Sequence, residues 1–180
     1  MLVCTPSYAL RLAEVAQEHG MDMRESHVRV TIHAGEPGAS IPATRERIER
    51  AWGAKTYDHA GMTEMGAYGF MCSQQQGIHI NEGEFIAEIL DPRSGQPVEE
   101  GKAGELVLTN LGRWGAPAIR YRTGDLVRHG GYNCACGRTF LAACRRERGR
   151  SLTSRYSGAR PSQPRWVRPN EARLRTEHSR

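Results

Sequence analysis

The chain has 180 residues, 38% of them hydrophobic, and a formal net charge of +5. That length predicts one domain or a little more; no apolar run reaches membrane-spanning length, and Met1-Leu2-Val3-Cys4 lacks the charged start and apolar stretch of a secretory leader, so the cytoplasm is the expected compartment. The charge is uneven: residues 142–180 hold 11 Arg, 3 Glu and no Lys (+8), whereas residues 1–141 hold 14 Lys+Arg against 17 Asp+Glu (−3). The basicity that would point to nucleic acid therefore belongs to the tail, and nucleic acid is not expected as a partner of the mildly acidic body. Five cysteines, an odd number in a reducing compartment, argue against a disulfide framework and leave metal binding or simple burial.

In chain order, residues 6–20 read as a helix, with Pro6 in its first turn, apolar positions at Tyr8, Leu10, Leu12, Val15 and Ala16, and Gly20 at its end. Residues 28–32 alternate as a strand and run into the Gly35-Glu36-Pro37-Gly38 turn. A second helix is expected over 42–52 and a short strand at Lys55-Thr56-Tyr57, followed by a loop over 58–64. Helix, strand, helix, strand predicts parallel strands with crossover helices, and in such sheets ligands bind outside the carboxyl ends of the strands. From about residue 78 the pattern becomes β-rich, with strands over 84–90 and 105–109, short pieces over 118–121 and 126–128, and turns at Asp91-Pro92-Arg93-Ser94-Gly95 and Glu100-Gly101-Lys102. The fold expected is α/β: a partial parallel-sheet α/β subdomain over 1–77, a small β-rich subdomain over 78–141, and an irregular tail over 142–180.

One stretch concentrates the chemistry: Asp58-His59-Ala60-Gly61-Met62-Thr63-Glu64. Gly61 lets the backbone turn or come close to a ligand. Thr63 offers a hydroxyl that can reach a phosphate oxygen, and Glu64 offers the hard oxygens that Mg²⁺ accepts beside nucleotide phosphates. Taken alone, Gly61-Met62-Thr63-Glu64 reads as a turn leading into a helix N-terminus.

Together with Ala34-Gly35-Glu36-Pro37-Gly38 upstream and Arg120-Tyr121-Arg122-Thr123-Gly124-Asp125-Leu126 downstream, the stretch resembles the ordered motifs of the adenylate-forming superfamily, and within it the phenylacetate-CoA ligase family. The resemblance extends over residues 5–139 and includes Ala51-Trp52-Gly53-Ala54 and Gly104-Glu105-Leu106-Val107. It implies a two-step reaction. A carboxylate attacks the α-phosphorus of ATP to give an acyl-adenylate and pyrophosphate, and the thiol of coenzyme A then displaces AMP. The first step is in-line displacement, so the protein positions groups and neutralises charge.

By the same resemblance, Gly35, Glu36 and Pro37 line the adenine pocket, and Asp58, His59, Ala60, Gly61 and Met62 lie beside the nucleotide. Thr63 contacts phosphate, Glu64 holds Mg²⁺, and Asp125 accepts hydrogen bonds from the ribose hydroxyls, a task that suits an ionised carboxylate. Many superfamily members carry Tyr where this chain has Ala60, so His59 or another side chain stacks on adenine, or the base is held more loosely. The acyl substrate implied is an aromatic or other hydrophobic carboxylate, with Ala67, Tyr68, Gly69 and Phe70 as a candidate part of its pocket.

A second constellation, Cys72, His79, Cys134 and Cys136, supplies three thiolates and an imidazole, a set sufficient for a closed structural Zn²⁺ site. Some relatives of phenylacetate-CoA ligase carry a similar Cys, His and C-x-C-G-R arrangement around zinc. The alternative is buried free thiols and a surface His.

The superfamily's phosphate loop would lie upstream of this stretch, and its hinge and small domain with the catalytic Lys downstream, so the chain reads as an internal piece that is inactive alone. An Arg-rich tail without Lys suggests a frameshift near Leu141; the rival is a genuine disordered basic arm. The competing overall reading is a non-catalytic nucleotide- or zinc-binding remnant, or a basic-tailed nucleic-acid binder.

Overall fold

A computed structural model describes residues 1–145, and the expectations for the tail beyond Arg145 lie outside them. Strand β1 (Leu2–Cys4) leads into helix α1 (Pro6–Glu18), then a 3-10 turn at Met23–Glu25, strand β2 (Val30–His33) and helix α2 (Pro42–Trp52). Seven strands follow: β3 (Lys55–Met62), β4 (Gly66–Met71), β5 (Ile78–Ile80), β6 (Phe85–Leu90), β7 (Ala103–Asn110), β8 (Tyr121–His129) and β9 (Ala142–Arg145). They form one nine-stranded sheet in the order β1-β2-β3-β4-β5-β9-β8-β7-β6.

The first three strands are parallel, and every later pairing is antiparallel. The pairing thus changes at the β3–β4 hairpin, earlier than the change of pattern read near residue 78. The expected short strand at 55–57 runs on to Met62, so Asp58 to Met62 lie on a strand, and only Thr63, Glu64 and Met65 form the turn. Of the pieces expected at 118–121 and 126–128, the second lies within β8, whereas the first contributes only Tyr121 to it. The tail expected to be irregular from residue 142 begins instead with β9, which pairs with both β5 and β8.

Two apolar cores hold this sheet. The smaller packs α1 and α2 together through Ala9, Ile48, Trp52 and Ala54. There the Trp52 indole N–H donates to the Ala9 carbonyl at 3.0 Å, which satisfies its one polar atom. Both helices start with Pro, whose missing N–H costs nothing in a first turn. Helix α2 stops at Gly53, which takes the left-handed conformation at φ 60°. The larger core runs from Ala39 and Ala60 through Met65, Tyr68, Ile78 and Ile80 to Leu106, Leu108, Val127 and Leu141.

Between the parallel strands lies a buried polar chain. The Thr31 and Thr56 hydroxyls are 2.9 Å apart; His33 Nε2 reaches Thr31 at 3.0 Å, and His33 Nδ1 reaches the Cys4 carbonyl at 2.9 Å. Each group has a partner, as buried polar atoms require. No helix among the described residues is long and apolar enough to cross a membrane.

Candidate functional site

Asp58 sits near the carboxyl ends of the parallel strands, opposite His33. Its carboxylate is buried and accepts two backbone N–H groups, from Ala39 and Ser40, each at 2.7 Å. That pair of charge-assisted bonds ties the segment after Glu36 and Pro37 onto β3. Gly38 is required there: a Cβ would stand 2.6 Å from Pro6 Cγ and 2.8 Å from Asp58 Oδ1. Upstream in the same segment, the Ser7 hydroxyl donates to Glu36 Oε1 at 2.5 Å, which links it to the start of α1.

Strand alternation divides the next residues. Thr56, Asp58 and Ala60 are buried, while Tyr57 and His59 are only partly so. Ala60 belongs to the larger core and supplies no ring, and the His59 side chain lies on the opposite face of the strand from Asp58. A bulge between Ala60 and Gly61 shifts the register with β4. Gly61 comes close to that strand, because a Cβ on it would meet the Gly66 carbonyl oxygen at 3.1 Å.

The turn Thr63-Glu64-Met65 is fixed by two residues that sequence reasoning missed. Arg113 Nη1 donates to the Thr63 carbonyl at 3.2 Å and the Glu64 carbonyl at 2.6 Å. Asn110 Nδ2 donates to the Met65 carbonyl at 3.0 Å, and Asn110 Oδ1 accepts from the Gly112 and Arg113 N–H groups, both at 2.9 Å. The local part of this arrangement had a signal, since an Asn side chain commonly accepts from the backbone N–H two residues on, as Asn110 does from Gly112. All three carbonyls of the hairpin turn are thereby engaged. The Glu64 carboxylate and Thr63 hydroxyl make no hydrogen bond or ion pair among the described residues.

Asp125 lies on β8 and approaches this region electrostatically. Burial pushes the Tyr68 phenol well above its ordinary pKa, and the negative charge of Asp125 adds to the effect. The segment around Asp125 is organised from below. The Thr123 hydroxyl donates to the Leu106 carbonyl at 2.8 Å and accepts the Asp125 N–H at 3.1 Å, and Gly124 N–H donates to Glu105 at 3.2 Å. Arg122 pairs with Glu105, and Arg120 forms a two-pronged pair with Glu88 at 2.9 and 3.0 Å. Neither arginine is a freely solvated cation. Of the four residues read as a pocket, Tyr68 and Gly69 are buried, with Tyr68 packed edge-on to Phe85, and Phe70 packs against His79. Only Ala67 is exposed.

The second constellation converges although its halves are far apart in sequence. Cys72, His79, Cys134 and Cys136 bring their ligand atoms within 4.8 Å of one another. Cys72 Sγ and Cys134 Sγ are 3.8 Å apart, and Cys136 Sγ is 3.5 Å from His79 Nε2. Tetrahedral Zn²⁺ with Zn–S bonds of about 2.3 Å and a Zn–N bond of about 2.05 Å separates two sulfurs by about 3.8 Å and a sulfur from a nitrogen by about 3.5 Å. The donor set fits. His79 Nδ1 lies 3.2 Å from the Phe140 carbonyl, which can only accept, so Nδ1 carries the proton and Nε2 faces the sulfurs with its lone pair. The Arg138 backbone N–H holds the Cys136 thiol down at a pKa of about 6, whereas burial pushes Cys72 up.

No protein-family model matches the chain. It is 36% identical over 144 residues to a phenylacetate-coenzyme A ligase of Thermus thermophilus, covering 78% of this chain and 32% of that one. To the Escherichia coli phenylacetate-coenzyme A ligase it is 37% identical over 132 residues, covering 71% and 30%. A crystal structure of 2-hydroxyisobutyryl-CoA ligase in complex with 2-HIB-AMP and CoA, in an open conformation, superposes with a TM-score of 0.75 at 36% identity, over 79% of this chain and 34% of that one. An amide bond synthetase from Marinactinospora thermotolerans shares the fold at 18% identity and a TM-score of 0.53. The chain spans about a third of the length of the curated relatives it matches. Its motifs, its mixed sheet and these likenesses agree: the chain belongs to the phenylacetate-CoA ligase family of adenylate-forming enzymes.

Proposed function

We propose that this chain is the nucleotide-facing part of an AMP-forming acyl-CoA ligase that activates an aromatic or other hydrophobic carboxylate as its adenylate and passes it to coenzyme A. The observation that carries the reading is the hairpin turn: among the described residues Glu64 and Thr63 keep their side chains uncommitted, while every carbonyl of the turn is held by Asn110 at the end of β7 or Arg113 just after it. A carboxylate and a hydroxyl held ready in this way suit Mg²⁺ and phosphate oxygens. The segment of Gly35, Glu36 and Pro37, tied down through Asp58, forms the adenine side, with His59, Ala60, Gly61 and Met62 along the strand beside it. Asp125 receives the ribose hydroxyls. Mg²⁺, when bound at Glu64, neutralises phosphate charge. The chain's own residues orient the nucleotide for in-line attack.

The test is calorimetric titration of the full chain with ATP and Mg²⁺. Saturable binding is expected, with affinity at least tenfold lower in Asp125→Ala, since a charge-assisted hydrogen bond lost on binding costs about 1.5–3 kcal/mol. A folded chain that binds no ATP, or binds it equally well as Asp125→Ala, would overturn the reading.

Cys72, His79, Cys134 and Cys136 hold a structural Zn²⁺ in this reading. Four protein ligands leave no open position, so the metal pins the β4–β5 connection to the β8–β9 connection and takes no part in chemistry. Elemental analysis of chain purified under reducing conditions should give about one Zn²⁺ per molecule, and none after Cys134→Ser with Cys136→Ser. A well-folded metal-free preparation would sink the zinc assignment.

A further inference from the structure

Phe70 on β4 sits at the meeting point of the thiol cluster. Its ring centroid lies 5.9 Å from that of His79, 6.3 Å from that of Phe140, and 5.5 Å from the guanidinium carbon of Arg138. Phe140 is also the residue whose carbonyl fixes the His79 tautomer. Arg138, for its part, follows Cys136 by two residues, just past the turn closed by the Gly137 N–H on the Cys134 carbonyl at 3.0 Å. The Phe70 ring thus joins the two halves of the cluster, packing on His79 from the β4–β5 side and receiving Arg138 from the β8–β9 side.

Charge supplies the reason for a cation there. Three thiolates and a neutral imidazole around a dication carry one net negative charge. A guanidinium is the suitable counter-group, because its planar fork stacks on an aromatic face while its N–H groups point at the edge. We propose that Arg138 is the positioning residue of this metal site: stacked on Phe70, it balances the thiolate charge and locks the Cys134–Cys136 turn against His79. This rests on the zinc assignment above and extends it to a residue that ligates nothing.

The experiment uses the full-length 180-residue chain, stripped with chelator under reducing conditions, then titrated with Co²⁺ and with Zn²⁺ against a chromophoric chelator. Wild type is expected to show thiolate-to-cobalt charge transfer. Arg138→Gln should keep the wild-type circular dichroism and lose about tenfold in Zn²⁺ affinity, the low end of what removing an outer partner of a metal ligand costs. Arg138→Lys, which keeps the charge without the fork, should lie between the two. The gap between wild type and Arg138→Gln should narrow in 1 M salt, which a purely structural defect would not do. Phe70→Leu, which removes the stacking face, should lower affinity in the same direction and carries the test if Arg138→Gln fails to fold. Zn²⁺ affinity of both variants within twofold of wild type would overturn the proposal while leaving the zinc assignment standing. An equal loss in Arg93→Gln, an exposed cation in the turn after β6, would reduce the effect to overall charge and overturn it too. Wild type that takes up neither metal would remove the zinc assignment and this inference with it.

Discussion

At the scale of single residues, Asp58 carries a burden that its motif does not record. Each of its oxygens takes a backbone N–H from the Ala39–Ser40 segment. Such a side chain acts on a ligand by holding the wall that the ligand meets. Asn at this position keeps the shape but offers one acceptor oxygen where Asp offers two, leaving either Ala39 or Ser40 facing an amide NH₂. Asp58→Asn is therefore expected to cost about 1–3 kcal/mol in urea unfolding, with hydrogen exchange quickened at those two amides. Unchanged stability and exchange would show that the segment is held by other means. Placement was legible for Cys72, His79, Cys134 and Cys136, which do come together. The local turn at Asn110 left a mark in the sequence, but the reach of Asn110 and Arg113 to the hairpin did not, because those partners are backbone carbonyls 45 to 50 positions away.

At the scale of elements, the helices were the most readable. Helix α2 begins at Pro42 and ends before Gly53 as its punctuation requires. Strands β4 and β5 went unread because Gly66, Ala67 and Gly69 dilute the alternation of the first, and three residues are too few to establish a period in the second. Strand β3 was read short because Asp58, Gly61 and the bulge beside it look like a loop, while the ladder to β2 and β4 decides otherwise. The hairpin these strands form depends on a third element. Asn110→Ala deletes the donor to the Met65 carbonyl and both acceptor contacts that shape the turn carrying Arg113. Amides of residues 63–66 should then exchange about tenfold faster by mass spectrometry, the ratio corresponding to about 1.4 kcal/mol of lost hydrogen bonding. Exchange confined to wild-type rates would mean that β3 and β4 hold the turn unaided.

At the scale of the whole molecule, the larger core depends on a neutral Tyr68. The phenol is buried and pushed up, first by burial and then by the charge of Asp125. A group whose folded pKa exceeds its unfolded value near 10 contributes in full below about pH 10, and that contribution is lost as pH rises through the folded value. Unfolding free energy should therefore fall above about pH 10, and Tyr68→Phe should flatten that fall while leaving the slope below pH 9 unchanged. Parallel alkaline limbs in the two proteins would show that another group controls this limb. The α/β class was legible from punctuation and periodicity, but the continuity of the sheet was not, since it depends on Ala142–Arg145, four residues at the edge of an arginine-rich stretch. That strand has a consequence in time. Among the described residues it is the last element of the sheet to be synthesised, yet it fills a slot between β5 and β8. Until it emerges, the nascent chain carries two facing open edges. Each is a template for a strand of a neighbouring molecule, so premature release before residue 142 exchanges a continuous sheet for a self-associating one.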